Sequence, residues 1–333
     1  MKPLLHAMPF LLLLSTMGCG RLPACMEPAF TTSIVDIDKL DYILPLGNLN
    51  PPGHTLPTRH MYFWVTEPTD LLAPARIHVT NLHIFTSKGD YEIGFQVCDG
   101  LNGYFIHLDS LSPRLEPLIS FEDCAGDMCF IEVDLWFEEG EFLGQVGING
   151  LSFDLGLIDD GVQNAFANPQ RYGDYLVHAA CGLDYFSDSI QALYYSKLRR
   201  TSEPRCGTIA QDVLGTLQGN WFTTQDAPAY SFETYSQELA FVHHAESAAS
   251  GVISIGGTLI EANTWHFKPQ HEGFVDREPS EVLPGAVYCY ERGGWDHERI
   301  LVEMLDPMTL RIEYQEQPCS EPFEFQNPLT YYR

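Results

Sequence analysis

The sequence predicts a mainly β chain with an N-terminal antiparallel β domain, one connecting helix, and a C-terminal antiparallel β-barrel or sandwich. Three observations carry this expectation. Between Met61 and about Leu157, short runs of alternating apolar and polar residues, from MYFWV to LSFDLGLID, are separated by Gly, Pro, Asp and Ser. From Asp184 to Leu198, the residues Phe186, Ile190, Leu193, Tyr194 and Lys197 fall three or four apart, the period of an amphipathic helix. After Asp212 the strand period returns in runs such as GNWFTT, ELAFVHHA, NTWHFKP, RILVEML and TLRIEYQ, dense enough for a closed barrel or a sandwich.

Taken in order, residues 1–18 hold Lys2, the apolar run Phe10 to Leu14 and then Ser15-Thr16-Met17-Gly18, which is the grammar of a signal peptide. The run is far shorter than the roughly 20 residues a membrane-crossing helix needs. Gly18 before Cys19 resembles the lipobox of bacterial lipoproteins, in which the cysteine is acylated; Thr16 stands where that box prefers leucine, and ordinary cleavage near Ala24 is the alternative. The resemblance implies an extracytoplasmic protein lipid-anchored at Cys19 to the cell membrane or outer membrane, with residues 19–43 as a tether. The turn-rich stretch from Leu44 through Pro51-Pro52-Gly53 opens the first β domain, 44–180. A helical linker, 181–211, follows, with Asp184 expected to cap the helix and Lys197, Arg199 and Arg200 to suit its C-terminal dipole. The second β domain is 212–333.

Acidic residues outnumber basic ones 45 to 18 in the 333-residue chain, a net charge of −27. A phosphate backbone is repelled by such a surface, so nucleic acid is excluded as a partner. With 45% hydrophobic and 12% aromatic residues the chain is globular rather than disordered. Of nine cysteines, removing Cys19 into a lipid linkage leaves the even set Cys25, Cys98, Cys124, Cys129, Cys181, Cys206, Cys289 and Cys319, which reads as disulfides. Cys124 and Cys129 are also spaced like half a zinc site, but no second close pair exists; Cys289 with Cys319 is expected to staple the C-terminal domain.

The residues with most chemical content lie in the first domain: His54 and His60 in GHTLPTRH, His107 in FIHLD, and Asp154 in GLSFDLG. Imidazoles and a carboxylate in this number can ligate zinc and leave a position open for water. A regular strand puts His107 on one face with Phe105 and Asp109, opposite Tyr104, Ile106 and Leu108.

The order of these parts, over residues 44 to about 160, resembles the lysostaphin-like zinc endopeptidases that cut peptide cross-links of peptidoglycan. In that family an early histidine and aspartate bind zinc, a strand ending like GYFIHLDS brings a catalytic histidine, and a turn like GEFLGQVG precedes a His-x-His pair. The resemblance implies His54, His60 and Asp154 as zinc ligands, His107 as the catalytic residue, and a wall peptide as partner. The chain departs from the pattern in two places: Thr58 and Trp64 stand four residues after the early histidines, and Ser152-Phe153-Asp154 replaces His-x-His. Activity is thereby left open between a degenerate metallopeptidase and a non-catalytic envelope lipoprotein that binds a wall fragment, a small apolar ligand or a protein.

In the second domain, Gly219 and Trp221 form a Gly-x-Trp that resembles the opening of lipocalin-type barrels. A core tryptophan after a turn glycine gives the same three residues, and a barrel of this strand number can hold a small apolar ligand at its mouth. His243 and His244 sit in a strand, face opposite ways and cannot share an ion, while His266 and His271 flank a turn. Glu138, Glu139 and Glu141 read as a solvated hairpin.

Overall fold

A computed structural model of the chain describes residues 24–119, 124, 126–226, 228–231, 234–293 and 295–333. The stretch expected to be a signal peptide and the expected lipidation position, Cys19, lie outside the described residues.

The alternating runs form antiparallel strands, as the two-residue period requires. In the first domain they are β1 (Leu40–Leu44), β2 (His60–Val65), β3 (Thr69–Leu72), β4 (Ile77–Phe85), β5 (Asp90–Cys98), β6 (Leu101–Leu108), β7 (Ser110–Leu111), β8 (Met128–Phe137), β9 (Phe142–Val146), β10 (Ser152–Asp159) and β11 (Ala179–Ala180). The main sheet has the order β1-β2-β10-β6-β5-β4-β8, with β11 beside β10, and β3-β9-β7 form a small second sheet. One face of the main sheet carries Phe63, Phe105, Phe153, Leu155, Ile93 and Val79, all essentially without solvent exposure. Its other face carries the polar residues of the same strands.

The segment expected to be a tether is part of this body from residue 24 onward. Phe30, Ile34 and Val35 are buried in the core, β1 pairs with β2, and Cys25 is bonded to Cys98. Periodicity gave no warning, because the apolar residues of 24–39 pack through irregular backbone rather than in a strand or helix.

The helical stretch divides into a short 3-10 turn, Gly182–Tyr185, and an α-helix, Asp188–Lys197. Asp184 does not cap the helix; it accepts a hydrogen bond from Tyr195 Oη at 2.6 Å, and Ser187 occupies the cap position. Lys197 donates to Leu40 O at 2.7 Å, so it ties the helix to β1 as well as suiting the helix terminus. The buried Tyr194 anchors the helix, its hydroxyl accepting from Ile34 N at 2.9 Å.

The second domain holds β12 (Gly219–Phe222), β13 (Glu238–His244), β14 (Ser247–Ile255), β15 (Asn263–Phe267), β16 (Val287–Arg292), β17 (Trp295–Asp306), β18 (Thr309–Gln315) and β19 (Leu329–Tyr332). They make one sheet of order β15-β14-β13-β12-β19-β18-β17-β16 whose two end strands come side by side, a nearly closed barrel. Trp221, Phe241, Trp265, Tyr290, Met304 and Tyr331 fill its interior, each without solvent exposure. Trp221 Nε1 donates to Leu217 O at 2.9 Å, and the Arg333 guanidinium lies 4.3 Å above the indole ring. On the outside of the same strands, Phe222, Ala240 and Val242 pack into the core of the first domain. Both faces of β12 and β13 are therefore buried, and their burial is continuous where a one-sided sheet shows alternation.

The eight described cysteines pair as Cys25–Cys98, Cys124–Cys129, Cys181–Cys206 and Cys289–Cys319. Four disulfides mark a chain that matures in an oxidising compartment, and no described helix is long and apolar enough to cross a membrane. Cys181–Cys206 closes a 25-residue separation around the helix. Replacing both of its cysteines by alanine is expected to cost about 3 kcal/mol through loss of the loop constraint on the unfolded chain, read as a lowered urea midpoint with unchanged binding of any ligand at the first domain.

Candidate functional site

Adjacent strands of the main sheet bring the sequence-selected residues together on its polar face. The register aligns Tyr62, Asp154 and Ile106 across β2, β10 and β6, and one pleat further His60, Gly156 and Tyr104. Trp64 is opposite Ser152. Gly156 leaves the space that the Tyr104 ring fills: a Cβ there would lie 2.1 Å from Tyr104 Cζ.

His107 reaches this face by a β-bulge. The β5–β6 pairing runs Tyr91 with Leu108 and then Glu92 with Ile106, which leaves His107 without a ladder partner, and its backbone is left-handed at φ 68°. Regular alternation would have placed the imidazole with the fully buried Phe105, as the sequence suggests. The bulge turns it over instead, so that its ring meets Asp90 and Asp154. Substituting His107 by glycine or by alanine removes the same ring, yet only glycine accepts this conformation without strain. His107→Gly is expected to be about 1 kcal/mol more stable than His107→Ala, the reverse of their usual order in a strand, by chemical denaturation.

These side chains, with Asp90, form a chain of contacts. His107 Nδ1 is 2.6 Å from Asp90 Oδ2, His107 Nε2 is 3.5 Å from Asp154 Oδ2, and the same Asp154 oxygen is 3.3 Å from His60 Nε2. The His54 ring stands edge-on to His60 with centroids 5.3 Å apart. His60 is 4% and Asp154 1% exposed, whereas the His107 side chain is 44% exposed. His107 lines a cavity of about 280 Å³ together with Lys88, Asp90, Asn149, Gly150 and Ser152. Asp109 fixes the rim of that cavity by accepting from Ile148 N and Asn149 N, each at 2.8 Å.

Burial dominates the protonation of the cluster. It pushes Asp154 up to about 7, with the Asp90 charge adding and His107 opposing. It pushes His54 down to about 4 and His60 well below the usual imidazole range, Arg59 and the neighbouring imidazoles adding to both. For His107 burial works the same way, but the hydrogen bond to Asp90 and the charges of Asp154 and Asp90 outweigh it and raise the pKa. The His60–Asp154 contact is thus one between a neutral imidazole and a carboxyl that is readily protonated, rather than a fixed ion pair. His54 Nδ1, both ring nitrogens of His60 and Asp154 Oδ1 are buried here without a hydrogen-bond partner among the described residues.

Several participants escaped sequence reasoning. Asp90 opens a strand beside a turn and reads there as a solvated residue. Arg59, whose guanidinium carbon lies 5.2 Å from the Tyr104 ring centroid and 4.7 Å from that of Tyr175, is a lone cation in the GHTLPTRH loop. Tyr230 comes from the second domain and donates its hydroxyl proton to Pro57 O. Arg59 is the chain neighbour of His60, whereas Asp90 and Tyr230 come near the histidines only through the pairing of distant strands and domains. Ser152 lines the cavity, and the other histidines that the sequence singles out stand elsewhere: His243 faces Glu278 at 3.1 Å, His271 faces Glu281 at 2.9 Å, and the His244 and His266 rings adjoin at 5.5 Å.

Among known proteins, no family profile matches the sequence and no curated protein does. A solved structure that matches is the solution structure of lysostaphin, at 10% identity over 82% of this chain and 89% of that one, with a TM-score of 0.29. Likeness of that degree carries no argument about this chain.

Proposed function

We propose that the cluster is a zinc site of a metal-dependent peptide hydrolase whose substrate is a cross-link peptide of the cell wall. The observation that supports this best is the accumulation of unpaired buried donors and acceptors at His54, His60 and Asp154. The half-exposed His107 imidazole, 3.5 Å away, offsets only part of the charge that a buried Asp154 carboxylate needs beside the neutral His54 and His60. A dication supplies that charge and takes the lone pairs that nothing else uses.

The spacing supports the same reading in part. Zinc bonds of about 2.0–2.2 Å in a tetrahedral shell put neighbouring ligand atoms roughly 3.3–3.6 Å apart, and the His60–Asp154 contact measures 3.3 Å. Among the described residues no three His, Cys, Asp or Glu side chains already stand in an arrangement that holds an ion. The seat is therefore the His60–Asp154 pair, with His54 the imidazole assigned to complete it. Zinc, when bound, supplies Lewis acidity toward a carbonyl and toward water. His107, exposed on the cavity side and hydrogen-bonded at Nδ1, holds or delivers a proton at Nε2. Ser152 and Asn149 offer polar groups to a peptide lying in the cavity. The wall-peptide assignment draws on the family order of His54, His60, His107 and Asp154 and on the export grammar of the leader.

A non-catalytic reading is favoured by one observation: Ser152 occupies the position of a histidine in the resembling family, which leaves His107 as the single imidazole facing the cavity. Metal analysis and wall digestion separate the two. Purified full-length protein in zinc-replete buffer is expected to hold about one equivalent of zinc, to lose it in His60→Ala, and to keep it in His107→Ala while wall digestion stops. Less than about 0.1 equivalents in the parent would remove the metal reading; zinc without digestion would leave a binding protein.

A further inference from the structure

We infer that Asp90 is the positioning residue for His107, an inference that rests on the role given to His107 above. The Asp90 carboxylate sits at the first residue of β5, next to the bulge, and its Oδ2 lies 2.6 Å from His107 Nδ1. Its side chain is 13% exposed and its second oxygen has no partner, so the hydrogen bond to His107 is the one polar contact it makes among the described residues. Other imidazole–carboxylate pairs of the molecule differ. Asp134 opposite His78 is 90% exposed, and the His271–Glu281 pair is likewise on the surface. Among the described residues, the Asp90–His107 pair joins a half-exposed imidazole in a cavity to a second, buried carboxylate at its other nitrogen.

The bulge explains why such a partner is needed. His107 has no ladder partner and a left-handed backbone, so the sheet fixes its Cα but not its ring. With Nδ1–H held by Asp90, Nε2 is the nitrogen directed at Asp154 and the cavity. Without that bond the ring turns freely toward solvent, and the proton is shared between the two nitrogens. A carboxylate that holds one imidazole nitrogen selects the tautomer and orientation in which the other can act.

The decisive readout is the His107 tautomer, from nitrogen-15 NMR of full-length protein labelled on histidine, recorded with and without zinc above the His107 titration. In the parent, His107 is expected as the Nδ1–H form. Asp90→Ala is expected to give a mixture of tautomers, and Asp90→Asn, which keeps the size and one acceptor oxygen, to restore Nδ1–H and to control for folding. Zinc content is expected to be unchanged in both variants. Where the parent digests wall peptide, kcat is expected to fall about 100-fold in Asp90→Ala at unchanged KM. Retention of pure Nδ1–H in Asp90→Ala overturns the inference, as does loss of zinc in either variant, which would make Asp90 a ligand. Should the parent bind no zinc or digest nothing, the proposed function fails, while the tautomer still decides the role of Asp90.

Discussion

Asp154→Asn is expected to stabilise the metal-free protein at neutral and alkaline pH while removing its affinity for zinc. Asp154 is buried, and its pKa is carried from 3.8 in the unfolded chain to about 7. The native state thus binds this proton more tightly than the unfolded state does. The stability it contributes is full below pH 3.8 and is lost as pH climbs through about 7. One pKa unit corresponds to about 1.4 kcal/mol, so the loss is on the order of 4 kcal/mol. Asparagine keeps the shape and cannot ionise; urea unfolding in chelator is expected to give variant and parent similar stability near pH 4 and a more stable variant at pH 8. Zinc is expected to reverse the order, because a ligand that binds only the native state raises stability with its concentration. The parent is expected to gain melting temperature as zinc is added, and Asp154→Asn to lose at least about 100-fold in affinity. A variant no more stable than the parent at pH 8 in chelator would show that the carboxylate is compensated by something other than an ion.

The second large effect belongs to the barrel. Trp221 is fully buried, its indole N–H is bonded to Leu217 O, and Arg333 covers its face at 4.3 Å. Arg333 is itself buried, donating to Gln218 O and lying 3.9 Å from Asp212. Asp212 in turn accepts from Asn220 N at 2.9 Å and from Ala167 N at 3.0 Å, the latter in the first domain. Trp221→Ala removes the largest side chain of this lock and is expected to cost about 3–5 kcal/mol, seen as a lowered denaturation midpoint. A cycle with Arg333→Ala is expected to show a coupling of about 1–2 kcal/mol; additive effects of the two substitutions would mean that the stacked pair is incidental.

How much of this was legible in the sequence follows from which interactions are local. Most strands were, because alternation is written residue by residue; β1, in the stretch read as a tether, and β3, β7 and β11, too short to show a period, were not. The histidines and Asp154 could be singled out by residue type and order, His60, His107 and Asp154 from regular strand runs and His54 from a loop. The face of His107 could not, because a bulge is a mismatch between two strands, 90–98 and 101–108, and neither alone records it. Asp90 and Tyr230 were missed for the same reason at larger separations. In the helical stretch the period was right and the start was wrong: Asp184 has the chemistry of a cap, but its carboxylate is taken by Tyr195. Arg333 carried no signal at all, since its role exists only once β19 lies beside β12.

The strands β12 and β13 present one row of side chains to the barrel interior and the alternate row, with Phe222, Ala240 and Val242, to the neighbouring core. A partition shared by two rooms cannot be taken down from one side. Severing the chain near residue 211 would strip the barrel of the outer cladding on those strands and leave a raw apolar wound on the other half, so neither half is suited to life alone. The two halves are expected to melt together, and a ligand that binds either one to raise the stability of both.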